Sequence, residues 1–122
     1  MSPRKKESFG EFLRARRVAK GYSLRKFAEM VGVSPTYLSQ VEQANADPPT
    51  VDRVRKMAEL LLENPDEWIA RAGRMPEDLP GIIQKRPLEM PQLLREASGL
   101  TAQQLRRLTQ QARKLRGKDK HA

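Results

Sequence analysis

Nine residues, Ser34 to Glu42 with the sequence SPTYLSQVE, combine polar and apolar side chains at helical spacing. Ser34 followed by Pro35 is typical of a helix start, because the first turn has no use for the N–H that proline lacks. Leu38 and Val41 are apolar and three residues apart, so they fall on one face of the predicted helix. The polar or amphipathic side chains fall on another face, and they are Thr36, Tyr37, Ser39 and Gln40. A helix that served only the core would not need them, so the pattern indicates a surface that contacts a polar partner.

Helices are predicted along the whole chain, because apolar residues recur at helical spacing and no useful strand alternation occurs. In the first helix the spacing includes Phe9, Phe12, Leu13, Arg16 and Val18. In the fourth it includes Val51, Val54, Ala58, Leu61 and Leu62. The predicted caps at helix starts are Ser8, Ser23, Ser34, Thr50, Asn64 and Thr101. The predicted stops are Gly21, Gly32, Gly73 and the pair Ser98-Gly99.

A proline-rich stretch follows the fifth predicted helix, and prolines at this density break helices into short pieces. The prolines are Pro76, Pro80, Pro87 and Pro91. We predict one short helical turn around Leu79, Ile82 and Ile83, then a short helix that contains Leu93, Leu94 and Ala97. A long last helix follows, with a stripe of Leu105, Leu108, Ala112 and Leu115.

The net charge of +9 is unevenly distributed over the 122 residues. Residues 1–26 carry nine Lys/Arg against two Glu, which gives +7, and residues 103–122 carry seven against one, which gives +6. Residues 27–102 carry eight against twelve, which gives −4. Basic clusters of this kind are typical of proteins that bind a polyanion, most often nucleic acid.

Several other classes of protein are disfavoured by composition. Cysteine is absent and the single histidine is His121, so neither a thiolate metal site nor a histidine-based catalytic centre is expected. No carboxylate pair lies in a recognisable catalytic frame, and no glycine-rich phosphate loop occurs. No apolar run approaches a membrane span, and no apolar region follows the basic N-terminus as in a signal peptide. We therefore expect a cytoplasmic protein that is not an enzyme, with no membrane association.

The segment SLRKFAEMVGVSPTYLSQVE, residues 23–42, places two short helices around a glycine-containing turn, which is the helix-turn-helix pattern. Ala28 is small enough to let the third helix cross the second closely, and Gly32 suits the turn because a positive φ costs glycine little. Val33 is expected to fill the angle between the two helices. Together with FGEFLRARRVAKGY before it, and with PPT and VRKMAELL after it, the segment resembles the Cro/C1-type (XRE) family of DNA-binding regulators.

The resemblance implies an all-α fold, namely a five-helix, lambda-repressor-like DNA-binding domain with a C-terminal helical extension. In this family the third helix enters the major groove of duplex DNA. The DNA-facing positions correspond to Pro35, Thr36, Tyr37, Ser39 and Gln40. Thr36 and Gln40 are our first choice for base contacts, because they share a face and Gln can bond adenine through two hydrogen bonds. For Tyr37 the alternative is packing at the rim of the fold, and for Ser39 it is a solvated surface.

Contacts to DNA phosphates are implied at the start of the second helix and just after the third. The implied residues are Ser23, Leu24, Arg25, Lys26, Gln43 and Asn45. A basic arm of Arg4, Lys5 and Lys6 could reach phosphates or a minor groove, with a solvated tail as the alternative. Arg17 and Glu42 match the positions of a partly buried, structural ion pair in the family, and a phosphate contact is the alternative for Arg17.

The predicted domains are a basic arm at 1–7, a DNA-binding domain at 8–73, a proline-rich connector at 74–92 and a helical segment with a basic tail at 93–122. The predicted function is sequence-specific binding to a double-stranded operator by a homodimeric repressor. We expect no metal, cofactor or small-molecule effector. The alternative function is that of an antitoxin-type protein, which binds a toxin and autoregulates its operon.

Dimerisation is predicted through the stripe of the last helix, Leu105, Leu108, Ala112 and Leu115, because it has the spacing of a two-heptad seam. The alternative is that this stripe packs within the monomer on the connector, around Ile82, Ile83, Leu93 and Leu94.

Overall fold

The computed structural model describes residues 7–121, with side chains described as far as residue 117. All regular structure in this range is helical, and the chain divides between Leu79 and Pro80 into two compact units. The first five helices are α1 (Phe9–Ala19), α2 (Leu24–Val31), α3 (Pro35–Glu42), α4 (Val51–Leu60) and α5 (Pro65–Arg71). The other three are α6 (Leu79–Lys85), α7 (Glu89–Ala97) and α8 (Ala102–His121).

Side-chain caps define where the first five helices begin. In each case an oxygen of the cap residue accepts a hydrogen bond from the backbone N–H three residues later, which satisfies one of the free donors of the first turn. The cap residues are Ser8, Ser23, Ser34, Thr50 and Asn64. The left-handed backbone of Gly21, Gly32 and Gly73 follows α1, α2 and α5, with φ values of 82°, 87° and 72°. These starts and stops confirm the sequence predictions.

The core of the first unit lies between all five helices. Trp68 of α5 is fully buried and meets the edges of Phe9 and Phe12 of α1, with ring centroids 6.1 Å and 5.0 Å away. The apolar face predicted for α3 is also buried. The side chains with no exposed surface include Leu13, Phe27, Leu38, Val54, Met57, Leu61, Trp68 and Ile69.

Two residues in the predicted apolar stripes are wrong. Val18 is 57% exposed, and Leu62 is 85% exposed. Leu62 has a φ of 58° and follows the end of α4, so the helical period that predicted its burial no longer applies there. Met57, which the prediction did not include, is buried on the inner face of α4 instead.

The crossing of α1 and α3 requires a glycine at position 10. A Cβ atom on Gly10 would overlap the carbonyl oxygen of Val41 and lie 2.6 Å from the carbonyl oxygen of Glu42. The first turn of α1 therefore packs directly on the backbone of the last turn of α3. Since Gly10 lies in a helix, where alanine would otherwise be preferred, this close contact gives glycine a packing reason.

The second unit has no comparable core among the described residues. α8 begins with a capping box, in which Gln104 N–H donates to Thr101 Oγ1 (3.1 Å) and Thr101 N–H donates to Gln104 Oε1 (3.0 Å). No side chain of α6 or α7 is buried. The apolar side chains that stay at least 37% exposed include Ile82, Leu93, Leu94, Leu105, Leu108 and Leu115.

None of the helices in the described part of the chain is both long enough and apolar enough to cross a bilayer.

Candidate nucleic-acid interface

The two faces of α3 have different environments. Leu38 and Val41 are buried, while Pro35, Thr36 and Gln40 are exposed on the other side. Within the described residues, the side chains of Thr36 and Gln40 take part in no hydrogen bond of the protein. Because they lie one helical turn apart, they present an amide and a hydroxyl together, which are groups that can read base edges.

Tyr37 lies at the border between these two faces. Its side chain is half-buried and packs against the core, as the rim interpretation expects. The guanidinium carbon of Arg53 lies 5.5 Å from the centre of its ring, in a cation–π arrangement. Arg53 is thus an exposed cation beside α3 that sequence reasoning did not single out, because it belongs to α4.

Three polar side chains at the end of α3 form a hydrogen-bonded chain. Gln43 Nε2 donates to Ser39 Oγ at 2.9 Å, and Asn45 Nδ2 donates to Gln43 Oε1 at 3.3 Å. Gln43 and Asn45 are exposed, and Ser39 is half-buried. These bonds hold the amide groups in place before any ligand arrives, which lowers the entropy lost on binding.

The start of α2 offers backbone donors. Ser23 Oγ accepts the N–H of Lys26, and Ser23 O accepts the N–H of Phe27. The N–H groups of Leu24 and Arg25 precede the first helical hydrogen bond and so point out of the helix start, where an anion is favoured. The Leu24 side chain packs on the core, so its expected phosphate contact involves only its backbone. The side chains of Arg25 and Lys26 are exposed.

Arg17 and Glu42 join α1 to the last turn of α3. Arg17 Nε donates to Glu42 Oε2 at 2.7 Å and Nη2 donates to Oε1 at 2.9 Å, while Nη1 donates to the carbonyl of Tyr22 at 2.8 Å. Both side chains are more than nine-tenths buried. The hydrogen bonds to Glu42 raise the pKa of Arg17 above its ordinary value, although burial acts in the opposite direction.

A slot of about 220 Å³ opens where α1, the start of α2 and the end of α3 meet. The sequence analysis did not place Arg14 in the site, although Arg14 lies three residues before Arg17 and therefore on a neighbouring part of the same face. The residues that line the slot are Arg14, Arg17, Leu24, Ser39, Glu42 and Gln43. Arg4, Lys5 and Lys6 lie outside the residues that the structure describes.

Residues 13–68 match the sequence profile of the family described as Helix-turn-helix. The chain belongs to this family, in its Cro/C1 type. This helix-turn-helix protein is therefore a DNA-binding transcriptional regulator. No curated protein matches it.

Solved structures similar to this helix-turn-helix regulator include SinR, a master regulator for biofilm formation, in complex with DNA. That match has 30% sequence identity and a TM-score of 0.47, and it covers 50% of this chain and 97% of the SinR chain. The clp gene regulator ClgR from C. glutamicum matches at 29% identity and a TM-score of 0.47, over 59% of this chain and 92% of that one. A complex of SinR and SinI proteins matches at 24% identity and a TM-score of 0.48, over 89% and 98% of the two chains.

Proposed function

We propose that this regulator binds a specific double-stranded operator through the exposed face of α3 and represses transcription as a homodimer. The observation that carries the proposal is the pair Thr36 and Gln40, which are exposed, share a face and are not used in the hydrogen bonds of the described structure. A free amide and hydroxyl one turn apart fit the donors and acceptors that the major groove presents.

Groups suited to phosphates flank this face on both sides. On one side lie the backbone N–H groups of Leu24 and Arg25 and the exposed side chain of Lys26. On the other lie the pre-ordered amides of Gln43 and Asn45. Phosphate contacts fix the register of a protein on the duplex, so that a small number of base contacts can be specific. Tyr37, Ser39 and Pro35 complete the proposed face.

The homodimer is proposed through the stripe of α8. Leu105, Leu108 and Leu115 are 42%, 37% and 58% exposed, so the described structure leaves most of their apolar surface without a partner. A single helix is marginal in water, and a second copy would cover the stripe. A two-fold dimer would also present two α3 helices to half-sites about one DNA turn apart, which supplies the specificity that one short helix lacks.

Repression is the proposed outcome, because a dimer on an operator covers DNA that the transcription machinery needs. The proposal places the protein in the cytoplasm, with the DNA-binding domain at 8–73, the basic arm at 1–7, the connector at 74–92 and the dimerising segment at 93–122. It involves no reaction and no effector. The antitoxin-type alternative shares the DNA-binding face and differs in what covers α8.

Selection of bound duplexes from random DNA tests this function. We expect enrichment of a palindromic motif whose two halves are about one helical turn apart. Enrichment of a single half-site would contradict the homodimer, and the absence of any enriched sequence would contradict operator binding altogether.

A further inference from the structure

The slot beside α3 carries a net positive charge. Arg17 and Glu42 in its wall neutralise each other through two hydrogen bonds, which leaves the guanidinium of Arg14 as the charge that decides its sign. Arg14 takes part in none of the ion pairs found among the described residues, whereas its neighbours Arg16 and Arg17 both have carboxylate partners. The slot therefore favours an anion.

The slot also contains neutral donors with hydrogens to spare. Ser39 Oγ accepts the bond from Gln43, so its own O–H hydrogen remains available. Gln43 Nε2 uses one of its two hydrogens on Ser39, and its carbonyl oxygen is held by Asn45. The volume of about 220 Å³ equals that of about seven liquid waters at roughly 30 Å³ each, which is room for a phosphate group and residual water.

We propose that this slot receives one backbone phosphate of the operator, with Arg14 as its cation and with Ser39 and Gln43 as its neutral donors. This inference rests on the proposed function, because it assumes that α3 faces the duplex. The slot lies against the part of α3 that holds Ser39, one residue before Gln40, so a phosphate bound there would fix the position of Gln40 along the groove. Ser39 then contacts the backbone and reads no base.

The experiment compares the full chain with Arg14→Gln, Arg14→Lys and the control Arg16→Gln. Arg16 lies on the same helix and is exposed, but it faces Glu63 and the Phe12 ring instead of the slot. Binding is measured by fluorescence anisotropy on the selected operator and on an unrelated duplex, between about 50 and 200 mM salt. A second series replaces each operator phosphate in turn by a neutral methylphosphonate.

Arg14→Gln should weaken binding to both duplexes by about tenfold at low salt, which is the size of one charge-assisted hydrogen bond. It should also lower the slope of log K against log salt by about 0.9 per half-site. Arg14→Lys should recover most of the affinity, and Arg16→Gln should change it much less. In the wild type, one methylphosphonate position per half-site should cost about tenfold, and that same position should cost Arg14→Gln almost nothing more.

Unchanged affinity and slope in Arg14→Gln would overturn the slot, as would a methylphosphonate profile identical to that of the wild type. A third variant tests Ser39: Ser39→Ala should weaken both duplexes alike and select the same motif, and a changed motif would make Ser39 a base reader. If the wild type prefers no sequence at all, the proposed function fails. If the preference is intact and no neutral phosphate distinguishes Arg14→Gln, the slot alone fails.

Discussion

Arg17 Nε lies 2.7 Å from Glu42 Oε2, and a second hydrogen bond of 2.9 Å runs parallel to it between Nη2 and Oε1. The same guanidinium donates to the carbonyl of Tyr22, just before α2. One buried cation therefore connects α1, the α1–α2 turn and the last turn of α3. Because α3 carries the proposed base contacts, this pair helps to set how the helix is presented to DNA.

Removal of either partner should destabilise the fold strongly. Arg17→Met or Glu42→Gln leaves a buried group without its partner, which typically costs about 3–5 kcal/mol in the free energy of unfolding. Urea denaturation followed by circular dichroism measures this cost. The control is Arg55→Met, which removes an exposed pair with Asp52 and should cost about 1 kcal/mol or less.

The double variant Arg17→Met with Glu42→Leu should recover much of the lost stability, since neither charge is then buried alone. The contribution of Arg17 should also be independent of pH near neutrality. Its pKa is raised in the folded state, so its contribution is complete below the ordinary value of 12.5 and is lost only as pH rises through the raised value. Single variants that lose less than about 1 kcal/mol would contradict this structural role.

Gly10→Ala should destabilise the domain, although alanine is normally the better helix residue. Its Cβ would meet backbone oxygens of Val41 and Glu42, which cannot move without shifting α3, so we expect a loss of about 1–3 kcal/mol. Thermal denaturation compares it with Gly81→Ala, a helical glycine whose added Cβ would have no neighbour within 4 Å. Equal melting temperatures for the two variants would mean that the close α1–α3 contact is not required.

Local features of the fold were predictable from sequence. Helix caps depend on a side chain and a backbone N–H three residues apart, and Ser8, Ser34 and Asn64 were identified for that reason. The period of apolar residues identified Leu38 and Val41. It failed at Leu62, because the periodic pattern continues past the residue at which α4 ends.

The missed residues depend on contacts between distant parts of the chain. Nothing near Gly10 in the sequence shows that it meets α3, which lies about thirty residues further on. Arg53 and Arg14 gain their positions beside Tyr37 and Ser39 only when α4 and α1 pack against the rest of the domain. Sequence reasoning could find the recognition helix, but it could not find the side chains that other helices bring to it.

The proposed dimer predicts that Leu108→Glu with Leu115→Glu gives a folded monomer with much weaker operator binding, because two carboxylates then lie in the seam. Sedimentation measures the mass and circular dichroism the helix content. The matched control is Gln103→Glu with Gln110→Glu, which adds the same charge seven residues apart, away from the stripe. A double variant that stays dimeric would place the interface elsewhere, and one that unfolds would show that α8 stabilises the monomer.

Salt should affect the two proposed interactions in opposite directions. Residues 102–117 contain five basic residues and no acidic one, so two α8 helices repel each other across their seam. Added salt screens this repulsion and should strengthen self-association, while it weakens DNA binding. Sedimentation without DNA, between about 50 and 300 mM salt, tests the first effect. A dimer that dissociates as salt rises would contradict the α8 interface and would indicate a pairing held by opposite charges.

The central claim is that α3 reads bases through Thr36 and Gln40, and binding of Thr36→Ala and Gln40→Ala tests it directly. Both side chains are exposed, so the melting temperature should match that of the wild type and of the control Gln92→Ala on α7. Anisotropy titrations compare the selected operator with an unrelated duplex at the same salt. The account predicts that each α3 variant loses about 1–3 kcal/mol on the operator and almost nothing on the unrelated duplex. Full retention of sequence preference by either variant would contradict the assignment of that residue to the recognition face.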